Sequence, residues 1–246
     1  AETGGLNFMI IDSSALTEQV VDDAIESGFN GAGQRCSALR ILAIQDEVYD
    51  KTIEMLSGAT KKINIGPPHL ITTDIGPVID QDAKNKINNH IKSFHSKILV
   101  QAPLDTQCDG FYVAPTIIEI NELSEVKEEI FGPVIHVYKY KANKIEELIK
   151  NINSMNYGLT LGIQSRIENT INYIFNNASI GNIYINRNIV GAVVGVQPFG
   201  GRGLSGTGPK AGGPNYLMKF VNEKSYSYDT TAAGGNATLF MMSENQ

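Results

Sequence analysis

The residues with the most chemical capacity stand near the start of the chain. Cys36 lies in residues 29–40, FNGAGQRCSALR, where Gly31, Ala32 and Gly33 lead into Gln34 and Arg35, and Ser37 opens an apolar run. That order puts the thiol where a loop becomes a regular element, a place that can present sulfur to a substrate. A cysteine beside an arginine and near backbone amides can have its thiolate stabilised, and the thiolate is the form that attacks carbon. Free cysteine is also among the most buried residue types, so a packed small hydrophobe is the competing reading. Glu2 adds weight to the first. The opening AETGGLN sets a carboxylate before two glycines, and the elements between Glu2 and Cys36 can return both side chains to one cleft. In such a pair the thiol attacks a carbonyl carbon, and the carboxylate later takes a proton from the water that frees the acyl group.

Holding the pair requires a scaffold, and hydrophobic periodicity supplies one. Residues 7–11 are an apolar run predicted as a strand. Ser13 or Ser14 is read as the cap of a helix with Leu16, Val20, Val21, Ala24 and Ile25 on one face. Residues 39–44 read as the next strand and 46–60 as a helix with Val48, Thr52, Met55 and Leu56 inward. A polar helix at 81–96 carries Ala83, Ile87, Ile91 and Phe94 as a stripe, and Pro103 closes a strand at 97–102. Residues 111–120 and 133–140 are β-rich; a helix at 143–155, a strand at 159–164, a helix at 167–177 and a strand at 182–186 follow. Strands alternating with helices of about 10–15 residues mark βαβ units. The fold class is therefore α/β, a largely parallel sheet flanked by helices. In such sheets sites are expected at the carboxyl ends of strands. On that expectation the loops of interest hold Cys36, Glu129 with Phe131, and residues 191–214.

The glycine-rich stretch contains a false lead. Residues 201–206, GRGLSG, satisfy G-x-G-x-x-G, and Glu223 lies 20 residues past Gly203, where a ribose-binding carboxylate would stand. A dinucleotide fingerprint needs a strand before it and a helix after it. Here Pro198 precedes, and Gly208, Pro209, Gly212, Gly213 and Pro214 follow, a run no helix continues through. The segment is read instead as a long loop whose glycines let backbone approach a substrate or a neighbouring loop.

Composition excludes several classes. The net charge is −6 and no basic cluster exceeds a pair such as Lys61-Lys62, so a nucleic-acid surface is not expected. Two cysteines make no disulfide framework, and free thiols fit a cytoplasmic location; Cys108, in the polar turn DTQCDG, is read as a bystander. The four histidines are dispersed, and no metal site is expected. The apolar run 189–196 is too short to span a bilayer. With 246 residues one domain or two are possible. The chain opens on Ala1 in the middle of a motif and is expected to be a piece of something longer.

ETGGLN, GQRCS, EEIFGPV (128–134) and PFGG (198–201) occur in this order, and in order and spacing they resemble the NAD(P)-dependent aldehyde dehydrogenase superfamily. The longer wording, with INRNIVGAVVGVQPFGGRGLSGTGPKAGGP, resembles the delta-1-pyrroline-5-carboxylate (glutamate semialdehyde) dehydrogenase module of the bifunctional proline-utilisation flavoenzyme family, PutA. The likeness covers nearly the whole chain. It implies that Cys36 is the nucleophile and Glu2 the base that activates water. It implies a substrate site in which the amides of Gly191 and Ala192 hold a carboxylate, with Ser37 and Arg35 beside the nucleophile. It implies an NAD site in which Glu129 bonds the nicotinamide ribose, Phe131 packs near the nicotinamide and Gly4 belongs to the same set. The coenzyme domain of the superfamily lies upstream of the glutamate motif, so weak NAD binding is expected of this chain alone. FAD is implied only for a proline dehydrogenase module elsewhere in a parent polypeptide. The partners implied are a small-molecule aldehyde, the remainder of that parent and a homo-oligomer, with no nucleic acid bound by this segment. The division expected is a catalytic domain at 1–222 and a tail at 223–246 that either adds a strand to a partner subunit or frays. Another semialdehyde or fatty aldehyde dehydrogenase, and a non-catalytic assembly module, remain as alternatives.

Overall fold

The structure, a computed structural model, describes residues 1–104, 109–229 and 241–242. Cys108 and most of the 223–246 tail lie outside these residues.

Neighbouring side chains of an extended chain point to opposite faces, so a strand apolar at successive positions must be covered on both sides. In β1 (Asn7–Ile11) Met9 and Ile11 join one core with Val20, Val21 and Ala24 of α1 (Thr17–Phe29) and Leu56 of α2 (Asp46–Thr60). Phe8 and Ile10 join a second core with Leu148, Ile149 and Ile152 of α4 (Ile145–Ser154) and Ile174 of α5 (Glu168–Asn177). Each such fully buried large side chain contributes roughly 1.5–3 kcal/mol. The sheet lies between these cores, with α3 (Gln81–Ser93) packing Ile87 and Ile91 into the first.

The strand order is β3-β4-β5-β2-β1-β7-β8. β2 (Leu39–Gln45) lies between β1 and β5 (Val134–Tyr140), β4 (Thr116–Ile120) beside β5, and β7 (Thr160–Gln164) between β1 and β8 (Asn182–Ile185), all paired in parallel. Only the edge strand β3 (Ile98–Gln101) is antiparallel. The alternating, largely parallel α/β architecture read from periodicity is the one observed. The glycine-rich segment forms no helix before residue 217; it pairs β9 (Arg202–Gly203) with β6 (Tyr157–Gly158) and then meets the chain start through a Glu2–Gly206 bridge.

Two expectations need correction. Neither Ser13 nor Ser14 caps α1, which begins at Thr17 behind a Leu16 that is 54% exposed and makes no side-chain cap. The Ser14 hydroxyl instead donates to Asp12 and accepts from the Arg166 amide, tying the end of β1 to the end of β7. The second correction is larger. Glu2 precedes β1, Cys36 precedes β2, and Glu129 and Phe131 precede β5, so these residues gather at the amino ends of parallel strands. At the carboxyl ends of β1, β2 and β7 the polar groups are already engaged: β2 runs straight from Gln45 into α2 at Asp46, and Asp12, Ser165 and Asn186 bond one another. The connections that enter β2 and β5 are long and irregular, and they carry Cys36, Glu129 and Phe131.

Candidate active site

The nucleophile loop is wound against the preference of L-residues. Gly31, Ala32 and Gly33 take φ of 63, 56 and 66° in succession, a conformation that costs a residue bearing a Cβ roughly 1–2 kcal/mol. Gly33 is also locked by space, because a Cβ there would stand 2.2 Å from the Gly132 carbonyl oxygen. Beyond this turn the backbone carbonyls are fastened one after another. The Asn7 amide donates to the carbonyls of Cys36 (2.7 Å) and Ala38 (2.9 Å), and the Thr160 hydroxyl donates to that of Ser37 (3.2 Å). Asn7 and Thr160 are themselves joined, the Thr160 amide donating to Asn7 Oδ1. Cys36 is left half-buried and Ser37 buried.

The chain start brings in the carboxylate. The amides of Thr3 and Thr207 donate to the carbonyls of Ser205 and Ala1, which holds Glu2 in a short antiparallel pairing. From there the Glu2 carboxylate lies close enough to the Cys36 thiol to act on its titration, so the pair suggested by residue type shares one place. Burial, then the charge of Glu2 and its hydrogen bond, push the Cys36 thiol up to about 11, partly offset by the amides of Ser37 and Cys36. This corrects the picture of a thiolate stabilised by its neighbouring arginine. Arg35 is exposed and is not among the main causes acting on the thiol, whose pKa is raised, not lowered. On its other side Glu2 borders a cleft of about 420 Å³ shared with Phe199, Thr207, Tyr216 and Lys219. That volume lies within the usual range for small-molecule sites.

Glu129 reaches the same region from the loop before β5. One carboxylate oxygen pairs with Arg40 at 3.1 Å and the other accepts from the Gly5 amide at 3.2 Å. Gly4 has φ of 98°, and a Cβ there would meet Glu129 Oε2 at 2.3 Å, so only glycine fits. An ionised carboxylate has about four acceptor positions, and those left unused suit the hydroxyls of a ribose. The Phe131 ring is 44% exposed, with the Arg40 guanidinium 5.4 Å from its centroid. Gly4, Glu129 and Phe131 are thus gathered around the Arg40 guanidinium, Gly4 against the Glu129 carboxylate and Phe131 beside the guanidinium.

Arg40 escaped notice in the sequence. It is 1% exposed and its guanidinium donates to the carbonyls of Gly33 (2.9 Å), Gly132 (3.1 Å) and Arg35 (3.1 Å) as well as to Glu129. Burial pushes its pKa down and the Glu129 charge opposes that shift. The one available signal was a lone charge inside the apolar strand LRILAIQ. Asn7 was hidden in the same way, as the polar end of a run read only as a strand.

Among the described residues Gly191 and Ala192 make no hydrogen bond to this cluster. The Ile189 amide donates to Ser27 Oγ at the end of α1 (3.0 Å), which fixes where the segment begins. Gly191 then takes φ of 73° with open space around it. Among the described residues no contact joins either amide to Cys36. They are exposed and half-exposed, on a surface whose next apolar residues, Val193, Val194 and Val196, are exposed as well.

A thiol and a carboxylate in contact at the amino edge of a parallel sheet, with a second carboxylate held nearby by glycines, are the features of a covalent dehydrogenase site. The family model for the aldehyde dehydrogenase family matches residues 1–226, and the chain belongs to that family. Within it, the chain is 55% identical over 229 residues to the bifunctional protein PutA of Escherichia coli (strain K12), covering 90% of this chain and 17% of that protein. It is 36% identical over 231 residues to a 1-pyrroline-5-carboxylate dehydrogenase of Geobacillus kaustophilus (strain HTA426), covering 92% of this chain and 44% of the other. A crystal structure of a bifunctional proline utilization A (PutA) protein superposes with a TM-score of 0.89 at 49% identity, over 95% of this chain and 24% of that one. A Thermus 1-pyrroline-5-carboxylate dehydrogenase solved with bound NAD gives 0.81 at 32% identity, over 89% and 42%. The chain thus spans less than half the length of the curated relatives it matches.

Proposed function

We propose that this chain is the catalytic half of an NAD-dependent dehydrogenase that oxidises L-glutamate gamma-semialdehyde, the open-chain partner of pyrroline-5-carboxylate, to L-glutamate in proline breakdown. The observation that carries the reading is that the pairing of the chain start with Gly206 places Glu2 close enough to Cys36 to act on its thiol; the names of the relatives supply the substrate.

Glu2 takes the thiol proton as the Cys36 sulfur bonds to the aldehyde carbon, and the carbonyl electron pair moves onto oxygen to give a thiohemiacetal. The Cys36 amide is one donor to that oxygen. NAD, when bound, supplies the hydride acceptor that converts this adduct to a thioester. Glu2, its first proton passed to solvent, takes a second from water as the water oxygen attacks the thioester carbon. The carbon–sulfur bond breaks, glutamate leaves and Cys36 recovers a proton. Gly191 and Ala192 hold the substrate carboxylate through their amides, with Ser37 beside the sulfur and Arg35 as a cation at the mouth. Glu129 holds the ribose, Phe131 flanks the nicotinamide, and Gly4 keeps Glu129 close to the chain start.

The proposal takes residues 1–222 as the catalytic domain and 223–246 as a tail. The coenzyme domain belongs to the remainder of a longer polypeptide, as would an FAD-dependent proline dehydrogenase module. The assembly is a cytoplasmic homo-oligomer; among the described residues no helix is long and apolar enough to cross a membrane. The test is NADH formation by the complete polypeptide supplied with glutamate semialdehyde. Cys36→Ala abolishes it, and Glu2→Gln accumulates an acyl-enzyme visible in the intact mass. Turnover by Cys36→Ala near the wild-type rate overturns the assignment, and preference for an aldehyde without a carboxylate overturns the substrate.

A further inference from the structure

We infer that Arg40 is a positioning residue that aims the backbone amide of Cys36 at the reacting oxygen. The inference rests on the reading of Cys36 as nucleophile and concerns how its loop is held.

A trans peptide points its carbonyl and the following N–H in opposite directions, and no cis bond is present among the described residues. The Arg35 carbonyl is drawn to the buried Arg40 guanidinium at 3.1 Å, and the Ala38 amide reinforces the hold at 3.0 Å. The Cys36 N–H of that peptide therefore points the other way. The Cys36 carbonyl is drawn inward by Asn7, which turns the Ser37 N–H outward in the same sense. In keeping with this orientation, the amides of Ser37 and Cys36 act on the thiol in the direction that favours negative charge on sulfur. Arg40 also grips the carbonyl of Gly33 on one side of the loop and that of Gly132 on the other. One planar, five-donor group thus sets the register between the nucleophile loop and the loop that carries Glu129. Lysine has the charge but not the fork, and cannot hold three carbonyls and a carboxylate at once.

The experiment uses the complete polypeptide with Arg40→Lys and Arg40→Met. Folding is followed by circular dichroism, active sites are counted by thiol titration, and the pH dependence of Cys36 alkylation is measured beside kcat and KM. Per titrated site, kcat falls about 10-fold or more, as for a misaimed oxyanion donor. KM for the aldehyde changes much less, and the alkylation midpoint of Arg40→Met moves to higher pH. A merely structural role lowers only the melting temperature and the number of active sites. If the variants that fold keep a wild-type kcat per site and a superimposable alkylation profile, the inference is wrong. Should Arg40→Met not fold, Arg40→Lys decides through its kcat per site. Should the wild-type protein not oxidise glutamate semialdehyde, the substrate reading fails, while the alkylation profiles still decide the role of Arg40.

Discussion

Glu2 works against Cys36 at rest and for it during the reaction. Its charge and its hydrogen bond hold the proton on sulfur, while the same carboxylate is where that proton goes when an aldehyde arrives. Glu2→Gln removes the charge, so the thiol midpoint is expected to fall from about 11. Alkylation of Cys36 near neutral pH then quickens even as turnover stalls at the acyl-enzyme; the two rates measured on one preparation separate these effects. At Gly4, replacement by alanine forces a Cβ into Glu129 at an unfavourable φ. The expected result is a rise of about tenfold in KM for NAD, equivalent to about 1.4 kcal/mol, checked by steady-state kinetics. Chemistry at this scale was largely legible: Cys36, Glu2 and Glu129 are reactive types in short motifs. Arg40 and Asn7 were not, because what they do depends on which carbonyls folding brings within reach.

Among the elements, the loop before β2 carries the strain and therefore the next prediction. Gly33→Ala meets the backbone oxygens of Gly132 and Gly28, atoms that cannot swing aside as a side chain can. A loss of about 2 kcal/mol or more is expected, read from denaturant unfolding. Behind the same strand, the buried His136 ring bonds the Arg40 carbonyl (3.1 Å) and His90 (2.8 Å), and burial with the neighbouring His90 lowers its pKa from 6.5 to about 3. The unfolded chain protonates this imidazole below 6.5 and the folded chain resists. Stability is thus fully present above pH 6.5 and declines as pH falls towards 3, at up to about 1.4 kcal/mol per unit. His136→Gln should flatten that decline in melts taken across the interval. Strand and helix order was readable here because apolar periodicity reports it directly. The edge that gathers the candidate residues was not: the carboxyl-end rule describes a common outcome of chain connectivity, whereas here Cys36, Glu129 and Phe131 lie on the connections that enter β2 and β5.

At the scale of the molecule, sheet and site do not amount to a whole dehydrogenase. In the proposed function Glu129, Phe131 and Gly4 serve the nicotinamide end of a cofactor, and no dinucleotide fold stands among the described elements to hold the adenine end. The 246-residue chain by itself is expected to expose a Cys36 that alkylates while producing no NADH from glutamate semialdehyde; both readouts come from one purified sample. Activity of this chain alone at the rate of the complete polypeptide would contradict the proposed division of labour.

The pairing of Glu2 with Gly206, and of Thr3 with a partner 201 residues downstream, also sets an order of events on the ribosome. Cys36 is translated before the glycine-rich segment, and until that segment follows, residues 1–3 lack the partner they pair with here. Throughout that interval the newborn chain carries a thiol free of the carboxylate that later suppresses it. Maturation is in that sense the quieting of a nucleophile, completed when residues 204–207 pair with residues 1–3.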